Sequence, residues 1–355
     1  MIAELIAPGF FEQVGSLSEL LLWLLSAVSM GMLVFGADRA VTAAASLAAA
    51  AGLSKVVIGA TVVSLGTTSP EAAVSVGAAM HGNPGLALGN GVGSIICDTA
   101  LIFGLCCCLQ RLPKDRFVLN RHGWVQFGSG ALLVVVSLVL WACSGDMHAV
   151  EIPRAVGFVF LALLVGYLVM CVRWAAEREA VVAHGGSRVH AEGKAPAPTQ
   201  HKVLCLGLLV GGLALVVCGS ELLIGSMKEI CRRHNVPEAV IAVTLVALGT
   251  SLPELVTAVT AIRKGHADLL VGNIIGADIL NVLFVIGASA AATPLKVEPL
   301  FFTFLLPTMM TVLLVLRLYG LGGGDRFRRW HGVPLLAVYG VFVALAVWLG
   351  ATGGQ

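Results

Sequence analysis

The sequence predicts an all-α polytopic membrane protein of ten transmembrane helices, arranged as two inverted five-helix repeats with helices 2 and 7 broken. Three observations carry this. Of 355 residues, 58% are hydrophobic and only 12% charged, with a mean hydropathy of +0.94, whereas soluble chains carry about 25% charged residues. Apolar runs long enough to cross a bilayer recur along the chain, without the alternating polarity of a β-barrel. One unusual pattern also occurs twice: SLGTTSPEAAVS at 64–75 and ALGTSLPELVTA at 247–258 place an acid and a helix breaker among apolar residues.

The first apolar segment is 16–36. It follows an N-terminus with Glu4 and Glu12 and no basic region, so it is expected to act as its own insertion signal, without a cleaved leader. Next come 54–79, which contains the first acid–proline pattern, the glycine-rich 85–110, then 123–143 and 153–174. The polar stretch 176–202 contains proline and glycine and reads as a linker. Five segments follow: 203–227, 237–262 with the second pattern, 268–292, 298–318 and 332–350. The expected organisation is a first repeat at 1–175 (core motif 57–104), the linker, and a second repeat at 203–355 (core motif 240–287). With the N-terminus outside, 17 of the 22 Lys and Arg residues fall on the inner side. By the positive-inside rule both termini lie outside and the linker is cytoplasmic.

A shift of 183 residues overlays the halves. Between 54–104 and 237–287, 18 of 51 positions are identical, and Asp38 falls on Glu221. An odd number of segments per half turns the second copy upside-down. Such repeats with interrupted helices place a transporter's site at the midplane.

Pro70 lacks an N–H, so the helix should break near Gly66-Thr67-Thr68-Ser69, with Pro70 in the first turn of a new half-helix. Carbonyls freed in lipid need protein or a ligand. With the Thr67 and Thr68 hydroxyls and the Glu71 carboxylate they form a hard-oxygen set that favours Na⁺, Ca²⁺ or Mg²⁺. Thr250, Ser251 and Glu254 repeat it. A carboxylate at the bilayer centre costs roughly 2.5–3.5 kcal/mol, which a bound cation offsets. The next segment adds Asn90, Ser94 and Asp98, at i, i+4 and i+8, matched by Asn273, Ala277 and Asn281. Gly85, Gly89, Gly93, Gly272 and Gly276 are expected to form smooth faces for close helix contact. Asn90 and Asn273 read first as helix braces and second as ligands. Asp38 and Glu221 read as structural, with lining of an access path the second reading. Asp278, opposite Ile95, is either a fourth acid of the site or the partner of a polar group elsewhere. His81 and His266 read as loop residues.

GTTSPE with GNGVGSIICD, and GTSLPE with GNIIGADILN, resemble the paired repeats of the sodium/calcium exchanger family, within the cation/Ca²⁺ antiporter superfamily. The likeness spans nearly the whole chain, and the short linker fits a compact prokaryotic-type member. It implies Ca²⁺/Na⁺ antiport by alternating access, with the two ions as cargo and no cofactor. Carried over by position, calcium would be held by Thr67, Glu71, Thr250 and Glu254. Sodium would share those four and add the Ser64 and Ala247 carbonyls, the Ser94 hydroxyl, and Asp98 and Asn281 beside the middle position. Thr68, Ser251, Asn90, Asn273 and Asp278 are further candidates. The chain departs from the family at Ala277, where a serine is usual, and at Ile95 and Asp278, where asparagine is common. H⁺/Ca²⁺ or K⁺-dependent Na⁺/Ca²⁺ exchange is the alternative, with a cation channel behind it.

No nucleophile–base set or HExxH appears, so enzymatic activity is not expected. Nine cysteines in mostly apolar surroundings read as packing residues. The net charge of +2 argues against a nucleic-acid partner. The remaining expectations are residence in the inner (cell) membrane and a monomeric state.

Overall fold

The structure, a computed structural model, describes residues 14–51, 55–184, 199–234 and 249–352. Its elements are α1 (Glu19–Ala51), α2 (Lys55–Thr67), α3 (Ser69–Met80), α4 (Pro84–Leu109), α5 (Arg116–Ser144) and α6 (Arg154–His184). They continue as α7 (Thr199–Arg233), α8 (Leu252–Arg263), α9 (Ala267–Ala292), α10 (Phe301–Leu321) and α11 (Gly332–Thr352). Among the described residues eight helices are long and apolar enough to cross a membrane. The second apolar segment is divided between α2 and α3. Of the seventh, α8 is the described part, because 237–248 lies outside the described residues. Helix α6 runs on to His184 and α7 begins at Thr199, so both ends of the 176–202 stretch are helical.

Burial ranks the spans. In α9 94% of the apolar window is buried and in α4 72%, against 17–39% for the other six spanning helices. Helices α4 and α9 therefore form the centre, while Leu20, Val165 and Val210 belong to broad outward apolar faces suited to lipid.

Small residues set the closest crossings. A Cβ on Gly272 would meet the Val56 carbonyl, and one on Gly276 would meet the Ala60 carbonyl and the Ser64 hydroxyl, so α9 lies backbone-to-backbone on α2. Helices α1 and α7 pair through Gly36, Gly212 and Gly219, and Ser26 Oγ meets Ser226 Oγ at 2.8 Å. The expected face of Gly85, Gly89 and Gly93 is uneven: a Cβ on Gly85 would meet Glu298 Oε1 at 2.8 Å, Gly89 has only the Phe301 ring at 3.8 Å, and Gly93 has open space. On the far side of α4, a Cβ on Gly91 would meet the Ile286 side chain at 2.7 Å.

Matching turns join α3 to α4 and α8 to α9. Gly82 (φ 82°) and Gly265 (φ 72°) occupy the left-handed region, and the amides after them, Asn83 and His266, reach back to Ala78 O (2.9 Å) and Ala261 O (2.8 Å). This helix-ending motif disfavours a side chain at its left-handed position, and the two glycines coincide under the 183-residue shift.

The connections are stapled across the sequence. Strand β1 (Glu151–Ile152), between α5 and α6, pairs antiparallel with β2 (Leu295–Lys296), between α9 and α10. Pro113, between α4 and α5, bridges Arg326, between α10 and α11, flanked by Lys114 N–Asp325 O (2.9 Å) and Phe327 N–Leu112 O (2.8 Å).

Candidate ion-binding site

The helix break is compact. Thr68 alone leaves the helical pattern (φ −83°, ψ −3°), its N–H reaching Ser64 O at 2.8 Å, and Pro70 then starts α3. Pro70 has no N–H for the carbonyl four residues back, and the Ser69 hydroxyl takes Leu65 O at 2.6 Å. In the second copy Ser251 (φ −88°, ψ 8°) precedes Leu252-Pro253. Glu71 and Glu254 thus sit in the first turns of α3 and α8, where helix N–H groups favour negative charge, and each is 1% exposed.

The halves brace each other through a matched pair of contacts. Thr67 Oγ1 donates to Asn273 Oδ1 at 3.4 Å, and Thr250 Oγ1 donates to Asn90 Oδ1 at 3.3 Å. Thr68 Oγ1 crosses to Glu254 Oε1 at 3.3 Å. These are long for O–H···O bonds, so the hydroxyls can turn to another partner at small cost. Asn90 also donates to Ser75 Oγ (3.0 Å) and to the Glu71 carbonyl (3.3 Å), the contacts of a brace.

From α4 come Ser94 and Asp98, and from α9 Asn273, Ala277, Asp278 and Asn281, all buried. Asp98 and Asn281 both stand at the start of a wide π-turn, Cys97–Phe103 and Asn281–Ile286. A π-turn leaves local carbonyls out of the regular ladder and recurs at functional sites. Asp278 serves a polar cluster: its Oδ2 accepts from Thr99 Oγ1 and Gln126 Nε2, each at 2.5 Å.

Several buried oxygens have no hydrogen-bond partner: both of Glu71, both of Asp98, Glu254 Oε2, Asn281 Oδ1, and the Ser94 and Ser251 hydroxyls. Buried polar groups are normally satisfied. The donor set is hard oxygen throughout, and a cation would satisfy it. Among the described residues no three of His, Cys, Asp and Glu gather tightly enough to hold a metal alone. A cation held here would have to be coordinated by acids mixed with hydroxyls and amides. Ser64 is buried beside the break, and Ala247 lies outside the described residues.

The family described as "Sodium/calcium exchanger protein" matches residues 21–173 and again 204–348. The chain belongs to that family. Its members are membrane transporters of the cation/Ca²⁺ antiport class, not enzymes. This exchanger is 32% identical over 324 residues to inner membrane protein YrbG of Escherichia coli (strain K12), covering 91% of this chain and 95% of that one. It is 28% identical to sodium/calcium exchanger MaX1 of Methanosarcina acetivorans, covering 92% and 99%. Among solved structures it resembles the sodium-calcium exchanger NCX_Mj with a TM-score of 0.77 at 26% identity, covering 92% and 99%.

Sequence reasoning missed two residues of this exchanger's polar interior. Thr99 follows Asp98 in the motif but has Val282 as its repeat counterpart, and Gln126 lies in α5, outside the repeated motif. Neither carries a periodic or duplicated signal. An isolated Gln in an apolar span was the available hint.

Proposed function

We propose that this exchanger moves Ca²⁺ against Na⁺ by alternating access. The observation that carries the reading is the pair of buried glutamates at half-helix N-termini from opposite halves, with three of their four carboxylate oxygens unpartnered. Ca²⁺ would be held by Thr67, Glu71, Thr250 and Glu254. Na⁺ would use the same four with the carbonyls of Ser64 and Ala247, Ser94, Asp98 and Asn281. Shared ligands make the two loads compete, which is the physical requirement for exchange. Thr68 and Ser251 stand beside this set, Asn90 and Asn273 brace it, and Asp278 belongs to the Thr99–Gln126 cluster.

The same proposal includes ten membrane segments in two inverted five-helix halves. In support, the connections after α4 and α9 correspond under the repeat, yet one pairs with the α10–α11 connection and the other with the α5–α6 connection. Those ends are separated by the full length of α5, about 43 Å at 1.5 Å per residue. The paired α1 and α7 form the element that would move past the α2–α4 and α8–α9 core. Both termini outside, a cytoplasmic 176–202 stretch, an inner-membrane location and a monomer complete the proposal.

In liposomes loaded with Na⁺ and diluted into Na⁺-free medium, the purified protein should take up ⁴⁵Ca²⁺. Uptake driven by a proton gradient and indifferent to Na⁺ would transfer the assignment to H⁺/Ca²⁺ exchange. Conduction without a counter-ion would make it a channel.

A further inference from the structure

At the end of the molecule where the α4–α5 and α10–α11 connections are tied, an open cavity of about 750 Å³ is lined by Arg111, Asp325, Arg326, Arg328, Arg329 and Trp330. Four arginines and one aspartate thus line the cavity, and none of the four arginines is ion-paired with a described residue. The arrangement is held in place. The Pro113–Arg326 bridge fixes the two backbones, and Phe327, fully buried, packs edge-on against Phe103 at 5.1 Å. Lys114 Nζ donates to Tyr319 O at 2.5 Å, and Arg116 donates to Gly322 O (3.2 Å) and Gly324 O (3.3 Å). The arginine-bearing backbone therefore has little freedom to spread its charges apart. Lys114 lies in the same field: burial first, then Arg116 and Arg328, hold its ammonium below its usual range.

The positive-inside tendency accounts for arginines at this end of the helices but not for their convergence on one concavity from two tied loops. Guanidinium forks match phosphate oxygens, and basic pockets between transmembrane helices take phospholipid headgroups. Trp330, 55% exposed in the short helical turn Arg329–His331 just before α11, supplies an interfacial aromatic edge where acyl chains would leave the pocket. We propose that this cavity binds clustered phosphate, supplied by the headgroup of an anionic phospholipid with Arg111, Arg326, Arg328 and Arg329 as its anchors.

The test uses the full-length protein in detergent and native mass spectrometry. Probes are cardiolipin, zwitterionic phosphatidylcholine and inorganic pyrophosphate. Wild type should retain cardiolipin over phosphatidylcholine, and the combined change Arg326→Gln, Arg328→Gln, Arg329→Gln should weaken that binding about 100-fold. Removing three exposed charges elsewhere, Arg39→Gln, Arg173→Gln and Arg263→Gln, should weaken it less than about threefold. Cardiolipin that pyrophosphate does not displace supports the membrane source. Pyrophosphate bound at the cavity by lipid-stripped wild type but not by the triple variant, with no cardiolipin preference, supports the same chemistry from a soluble source. Equal losses in the two triple variants, or no loss in either, overturn the site. A matching elution profile for both variants excludes misfolding as the cause.

Discussion

Thr67 donates to Asn273 across the two halves, and the repeat turns that contact into its counterpart, Thr250 to Asn90. Thr67 ends α2 at the break and Thr250 lies just before α8, while each asparagine belongs to the central helix of the other half. The asparagines thereby aim the hydroxyls that the proposed Ca²⁺ site needs. Asn273→Ala should leave the protein folded and weaken apparent Ca²⁺ affinity roughly three- to tenfold, the worth of about one hydrogen bond. ⁴⁵Ca²⁺ uptake against concentration reads this, and an unchanged affinity would remove the bracing role.

Glu71→Gln and Glu254→Gln should each cut exchange by more than about tenfold, since a contact to a charged group contributes roughly 1.5–3 kcal/mol. Folded yield should hold, because burying a neutral amide at the bilayer centre costs less than burying a carboxylate. Flux per folded protein in liposomes is the measurement, and wild-type exchange in either variant removes that glutamate from the site.

Ala277 is fully buried one position after Gly276, which packs on Ala60 and Ser64. Ala277→Ser adds one hydroxyl where the first half has Ser94. The Na⁺ dependence of Ca²⁺ release should shift to lower concentration by roughly threefold to tenfold, the value of one added oxygen contact. A Na⁺ curve identical to wild type would show that this position does not face the sodium path.

Two glycines of the same type separate close packing from mere smallness. Gly272→Ala places a methyl against the Val56 carbonyl and should destabilise by about 1–3 kcal/mol. Gly93→Ala meets nothing within 4 Å and should be neutral or stabilising by roughly 0.5–1 kcal/mol. Thermal unfolding followed by light scattering or tryptophan fluorescence distinguishes them.

His266 Nδ1 lies 2.9 Å from Lys55 Nζ, tying the α8–α9 turn to the start of α2. Burial first, then the Lys55 charge, pushes its imidazole below the usual value. A lowered base is neutral in the folded state and charges more readily when unfolded. The stabilisation it gives is therefore complete above the unfolded pKa of about 6.5 and is lost as pH falls through the lower folded value. The melting temperature should drop between pH 7 and pH 5, and His266→Gln should flatten that drop.

Much of this architecture was legible because a bilayer admits few solutions. The apolar runs and the break before Pro70 follow from backbone rules that packing does not override. The two glutamates were legible through duplication, since chance does not repeat an acid–proline pair in register. Packing faces were not. Gly85, Gly89 and Gly93 share a helical stripe, yet of the three only Gly85 has a close neighbour, and Gly91 on the other side of α4 packs on Ile286. Nor was the partner of Asp278, because Gln126 is 152 residues away and unrepeated. Within the 176–202 stretch, the opening AEREAVVAH is rich in good helix formers and continues α6 to His184, which its prolines and glycines further on did not signal.

The crossed pairings at the connections have a consequence for each half. Each half leaves the connection after its central helix, Leu112–Pro113 or Leu295–Lys296, to be completed by the other half, at opposite faces under the proposed inversion. A half on its own would expose that unpaired backbone, and only a second half inserted the other way up could cover it. Each half therefore depends on the other for this backbone pairing, and the copies keep it although their side chains differ, as Ser94 and Ala277 do.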